Sequence, residues 1–191
     1  MAPFACVTYV LWFVLCAGAT ITAGDAAAAQ PGVIAIRSAA FTSGEDGHIL
    51  SAELDIGLTP VLEGALNKGV PLYFVLEFEV VRPRWYWLNE KIVTKQQPIR
   101  ISYNTLTRQY RVGAGALYQN FADLPEALNF LSKVRRRIEV DPAALKSEGP
   151  YAAALRMRLD ITQLPKPFQV NALGSRDWNL ASDWFRWNIT P

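Results

Sequence analysis

Apolar and polar residues alternate along most of this chain. In LYFVLEFEV, Leu72, Phe74, Leu76, Phe78 and Val80 fall on one face while Glu77 and Glu79 fall on the other. LSAELDIGL sets Leu50, Ala52, Leu54, Ile56 and Leu58 against Ser51, Glu53 and Asp55. LRMRLDI likewise sets Leu155, Met157, Leu159 and Ile161 against Arg156, Arg158 and Asp160. Side chains of a strand point alternately to its two sides, so this period of two predicts strands with one buried and one wet face. The central positions Leu54, Phe74, Leu76, Phe78, Leu155 and Leu159 are the predicted core. Weaker alternation at 33–41, 99–103, 108–112, 134–140 and 184–189 adds further strands. ISYNTLTRQYRV reads as a hairpin turning between Asn104 and Thr107. Pro83 has no amide proton for a ladder, which puts it at a bulge, an edge or a strand boundary.

Helical signals are short. Thr59 caps one helix, with Pro60 at its first position and Gly69 beyond its last turn. DLPEALNFL opens on Asp123 with Glu126 three residues on, a capping-box spacing. Its stripe of Leu124, Ala127, Leu128 and Leu131 is too narrow to stand alone and must lie on a sheet. A further helical turn is predicted over Phe168 to Leu173. The fold class is therefore mainly β: an antiparallel β-sandwich of immunoglobulin-like or transthyretin-like appearance, with two or three short helices. A single curved sheet packed by the helices is the alternative.

The first residues change the setting. An apolar run from Phe4 to Ala17 precedes small residues, and Ala27 and Ala29 meet the A-x-A rule, so residues 1–29 read as a signal peptide and 30–191 as a single domain. The run is short for a membrane span, which needs about 20 residues. The expected location is periplasmic. No Lys or Arg precedes the run, and an uncleaved segment anchored in the inner membrane is the alternative, the one case in which the protein would associate with a membrane. Both cysteines, Cys6 and Cys16, lie in this segment. The mature chain then has no disulfide and no cysteine metal site, and a packed core must hold it.

Charge narrows the partners. Removing Asp25 with the signal leaves 19 basic against 16 acidic residues, a net charge of +3. That balance is too mild to argue for nucleic acid. His48, the lone histidine, falls in SGEDGH near Glu45 and Asp46, a loop without the donors of a specified metal site. Glu77 and Glu79 could pair for acid–base chemistry, but Arg156 and Arg158 as ion-pair partners explain them better. No nucleophile motif, phosphate loop or HExxH occurs. No cofactor, no metal and no catalytic residue is assigned, and the protein is not read as an enzyme.

What remains is recognition. In VVRPRWYWLNEKIV, Trp85 and Trp87 share one strand face, and Arg84 and Tyr86 the other. The face with the two indoles suits a core, and the face with Arg84 and Tyr86 suits a partner. In DWNLASDWFRWN, Phe185 and Trp187 oppose Trp184 and Arg186. Trp178, Trp184, Arg176 and Arg186 complete the partner-binding candidates, with Trp184 or Trp178 either covered by a neighbouring helix or loop or exposed beside Arg176 or Arg186. Arg135-Arg136-Arg137 is a solvated edge or a contact for anionic headgroups or an acidic partner, and Arg136 faces the same way as Val134 and Ile138.

The runs GVPLYFVLEFEVVRPRWYW, ISYNTLTRQYRV and LRMRLDITQLPKPFQVNALGSRDWNLASDWFRW resemble an exported proteobacterial family catalogued as domain of unknown function 4390. The likeness runs from about Val33 to the C-terminus. It implies a periplasmic or membrane-attached protein with a link to envelope signalling, because such genes neighbour a membrane sensor kinase and its regulator. It supplies no catalytic residues. The expected function is that of an exported, non-catalytic accessory protein that binds an unnamed envelope protein, the sensor kinase being one such partner. The alternative is a periplasmic small-ligand or glycan-binding domain using exposed tryptophans. The oligomeric state is left open.

Overall fold

The computed structural model describes residues 32–44, 47–83, 90–140 and 150–189. The signal segment and Arg84, Trp85, Tyr86 and Trp87 lie outside the described residues. Among the described residues nine strands run in chain order: β1 (Val33–Gly44), β2 (Gly47–Gly57), β3 (Leu72–Arg82), β4 (Glu90–Asn104), β5 (Gln109–Ala114), β6 (Leu117–Phe121), β7 (Lys133–Ile138), β8 (Tyr151–Leu159) and β9 (Phe185–Ile189). Helices α1 (Pro60–Asn67), α2 (Leu124–Ser132) and α3 (Lys166–Leu173) interrupt them. The strands form two antiparallel sheets, one of three in the order β1-β2-β7 and one of six in the order β6-β5-β4-β3-β8-β9.

The alternating rows turn inward and meet. Leu50, Ala52 and Leu54 of β2 are buried, as are Leu72, Phe74, Leu76, Phe78 and Val80 of β3 and Leu155, Met157 and Leu159 of β8. All six predicted core positions are therefore inside. Phe41 of β1 reaches across to Phe78 of β3, with ring centroids 5.1 Å apart. The molecule is mainly β and a β-sandwich, not one curved sheet.

Local chemistry sets the helices. The Thr59 hydroxyl accepts from the Leu62 amide at 3.2 Å and donates to the Asp177 carbonyl at 3.0 Å, so this buried cap also ties α1 to a later turn. Asp123 accepts from the Glu126 amide at 2.8 Å and starts α2. Ala127 and Leu131 of α2 are buried, and the helix contacts β2 of one sheet and β5 of the other. The chain leaves α2 straight into β7. Pro83 lies just beyond the end of β3, one of the boundary positions its missing amide proton allows.

Three elements differ from expectation. His48 belongs to β2, where its ring stacks on Phe41 at 4.9 Å, because β1 and β2 extend pairing to Gly44 and Gly47. β4 begins at Glu90, although its first half shows no clean alternation. β6 was unexpected; four of its five residues are exposed, so burial left no pattern to read.

A basic groove between the sheets as candidate functional site

Six strands facing three cannot all be covered. β3, β8 and β9 lie on one side of the larger sheet and β4, β5 and β6 on the other, and β1 contacts β8 and β9. On the opposite side, α2 contacts β5 and β6, and β7 shares with β4 to β6 the lining of open space. The β4 row shows the consequence. Ile101, Ile99, Gln97, Lys95 and Val93 pair in turn with Leu72, Phe74, Leu76, Phe78 and Val80. Every β3 partner is apolar and buried, yet its β4 neighbour turns polar at Gln97 and Lys95. A position on the inner face needs an apolar side chain only where a second layer sits above it.

The space left there forms two clefts, of about 310 Å³ and about 620 Å³. Gln97 and Arg136 line both, so the clefts are lobes of one groove. Leu50, Leu76, Phe78 and Ile138 form apolar wall in the smaller lobe. Ile99, Val112, Leu117, Phe130, Leu131 and Val134 do so in the larger. Phe130 and Leu117 are 42% and 82% exposed, an apolar rim open to solvent.

Charge gathers at the same place. Lys95, Lys133, Arg135, Arg136 and Arg137 line the groove, against the single carboxylate of Glu139. The whole chain carries only +2, so the groove concentrates positive charge that composition does not reveal. A cleft lined by one sign of charge focuses its field and attracts anionic partners. Arg136 is half-buried on the inner face beside Val134 and Ile138, while Lys133, Arg135 and Arg137 are exposed on the other face of β7.

Two strand edges border the groove. β7 ends its sheet, and among the described residues no strand pairs with its far side. β4 pairs with β5 only from Arg100 onward, so among the described residues its stretch before Arg100 has a ladder partner on the β3 side alone. Pro98 falls in that stretch, where a missing amide proton breaks no central ladder.

The earlier candidates sit elsewhere. Trp178 is 5% exposed, with Phe168 of α3 packed against it at 6.0 Å between centroids. Helix α3 packs on it, so of the two alternatives for Trp178 the structure has the covered one, and the residue is part of the core. Trp184 is half-buried under the Arg156 guanidinium, 5.9 Å from its ring centre. Arg176 and Arg186 are exposed, and none of these four lines the groove. Arg84 and Tyr86 are outside the described residues. Trp187 turns inward to Phe78, 6.3 Å away.

Glu77 and Glu79 occupy the outer face of β3. Arg158 Nε donates to Glu77 at 3.0 Å, and Lys91 Nζ to Glu79 at 2.7 Å. They are surface ion pairs away from the groove. Among the described residues no group of three or more His, Cys, Asp or Glu side chains could hold a metal. The Arg82 guanidinium, hydrogen-bonded to the Tyr151 hydroxyl at 2.9 Å, is held above its ordinary pKa by that bond.

Sequence reasoning named Arg135, Arg136 and Arg137 but missed Lys95, Gln97 and Lys133. The signal was present in VTKQQPIRI: a row that is apolar at Val93, Ile99 and Ile101 becomes polar at two consecutive inward positions, Lys95 and Gln97.

The fold and groove define a β-sandwich with an open basic cleft. The chain belongs to the family described as Domain of unknown function (DUF4390), which matches residues 32–188. No curated protein and no solved structure matches it. No helix among the described residues is long and apolar enough to cross a membrane.

Proposed function

We propose that this protein is a non-catalytic accessory protein of the bacterial envelope, exported to the periplasm, that binds a partner protein in the groove between β7 and the β4–β6 half of the larger sheet. The outer part of a membrane sensor kinase is one partner of this kind. One observation carries the reading: the described residues leave an inner sheet face uncovered, apolar in its floor, with Lys95 and half-buried Arg136 on it and the exposed Lys133, Arg135 and Arg137 of β7 beside it, against the single lining carboxylate of Glu139. Among the described lining residues there is no His, Cys, Ser or Thr, and the groups there with acid–base chemistry are Lys95, Lys133, Tyr118 and Glu139.

A small anionic ligand with an apolar tail is the second reading, favoured by the size of the larger lobe, about 620 Å³. No tryptophan is among the described lining residues, so a glycan stacked on indoles has no support in this groove.

Site-specific photo-crosslinking from position 97 in intact cells tests the proposal. A single protein adduct that disappears in Arg136→Glu, with the fold intact, supports it. No protein adduct from the groove, while an added long-chain carboxylate is retained by the purified protein, moves the function to the small ligand.

A further inference from the structure

We infer that the partner enters as an extended segment of alternating acidic and apolar residues, pairing as a fourth strand on the free edge of β7. This rests on the reading that the groove binds a protein. β7 reads KVRRRI, and its register with β2 fixes its faces: Ala52 lies opposite Val134, Leu50 opposite Arg136 and His48 opposite Ile138. Val134, Arg136 and Ile138 therefore point inward, and Lys133, Arg135 and Arg137 outward. Directly opposed side chains on neighbouring strands share a face, and opposite charges there are favourable while like charges are not. A strand added to β7 would place one row beside Lys133, Arg135 and Arg137, where carboxylates complement it. Its other row would point into the larger lobe, over the apolar floor of Ile99, Val112 and Leu117.

The lobe is where this row has to go. Lys133, Val134, Arg135 and Arg136 form its wall, so the unpaired side of β7 opens onto the cavity and not onto bulk solvent alone. Strand addition to an exposed edge draws affinity from main-chain hydrogen bonds and specificity from side-chain pockets. Exposed edges are commonly blunted by charge or proline. The two edges here differ in that respect. Pro98 blunts β4, whereas β7 carries cations that repel a basic strand and admit an acidic one.

The probe is a fluorophore-labelled nine-residue peptide of alternating Glu and Val, titrated into the mature protein. Saturable binding is expected, with slower amide exchange of the β7 residues in the complex. Methylating alternate peptide nitrogens should weaken it at least about tenfold, as should the double substitution Lys133→Glu, Arg135→Glu, provided its unfolding midpoint is retained. The methylated peptide leaves the protein unchanged, so the test stands even if that variant misfolds. Equal binding of a peptide with the same residues in two blocks, or binding without added protection of β7, overturns the strand. If the crosslink from position 97 still captures a protein, only this mode has failed; if it does not, the groove reading has failed too.

Discussion

Phe41 of the smaller sheet and Phe78 of the larger one pack with ring centroids 5.1 Å apart and planes tilted by 39°. Phe78 also approaches Trp187, at 6.3 Å, so one ring joins β1, β3 and β9. It is 1% exposed. Truncating a buried aromatic loses its transfer free energy and leaves a cavity. Phe78→Ala should therefore lower stability by about 3–5 kcal/mol, measured as a shift of the urea midpoint with an unchanged slope.

The outer face should behave differently. Glu77 and Arg158 pair at 3.0 Å, with side chains 12% and 33% exposed. Solvent and salt screen such a pair. A double-mutant cycle of Glu77→Gln and Arg158→Gln is expected to give a coupling of about 0.2–1 kcal/mol that shrinks in 1 M salt. A coupling above about 3 kcal/mol would show a buried pair and would reopen the chemistry of Glu77 and Glu79.

These two faces explain what the sequence could disclose. Strands such as β3 carry strict alternation because one side meets a second layer along its whole length, and there the core was readable residue by residue. β4 crosses from covered to uncovered territory within one strand. Its pattern from Thr94 to Pro98 then reflects an opposing layer that the described residues do not supply, which is a property of how two sheets of unequal size are stacked. Local periodicity contains no such information. Trp178 illustrates the same limit from the other side: its burial depends on α3 folding over it, a contact outside any strand pattern.

Groove cations ought to contribute little to folding. Lys95 and Arg135 are exposed, and surface substitutions away from special backbone or packing features usually stay within about 0.5 kcal/mol. Lys95→Gln and Arg135→Gln should leave the thermal midpoint nearly unchanged while weakening capture of an acidic peptide. A large loss of stability in either variant would assign that cation to the fold.

Gly113 has a sharper role. A Cβ built there would lie 2.5 Å from the Leu117 carbonyl oxygen and 2.8 Å from the Tyr118 Cβ. Tyr118 crosses this position on β6 while its ring lies under Arg111, 4.3 Å from the guanidinium. Gly113→Ala must push backbone apart in the β5–β6 hairpin, at an expected cost of about 1–3 kcal/mol. Because Gly113, Leu117 and Tyr118 all line the larger lobe, peptide binding should weaken in the same variant. Hydrogen exchange should show the loss confined to β5 and β6.

The C-terminal tryptophans separate folding from recognition. Trp178 is sealed between Phe168 and the core, and neighbouring backbone pins the segment: Trp178 donates its amide to the Ser175 carbonyl, and Asp177 accepts from Thr59 through its carbonyl. Deleting that indole removes buried apolar surface and leaves a cavity, so Trp178→Ala should cost about 3–5 kcal/mol. Trp184 is half-buried and held on the outer face by Arg156, a contact of about 0.5–1 kcal/mol when exposed. Trp184→Ala should therefore cost far less than Trp178→Ala. Neither residue lines the groove, so peptide capture by folded Trp184→Ala should match the parent protein. Unfolding midpoints and peptide titrations on both variants decide the matter. Loss of capture in Trp184→Ala at an unchanged midpoint would move the interface to the outer face around β9.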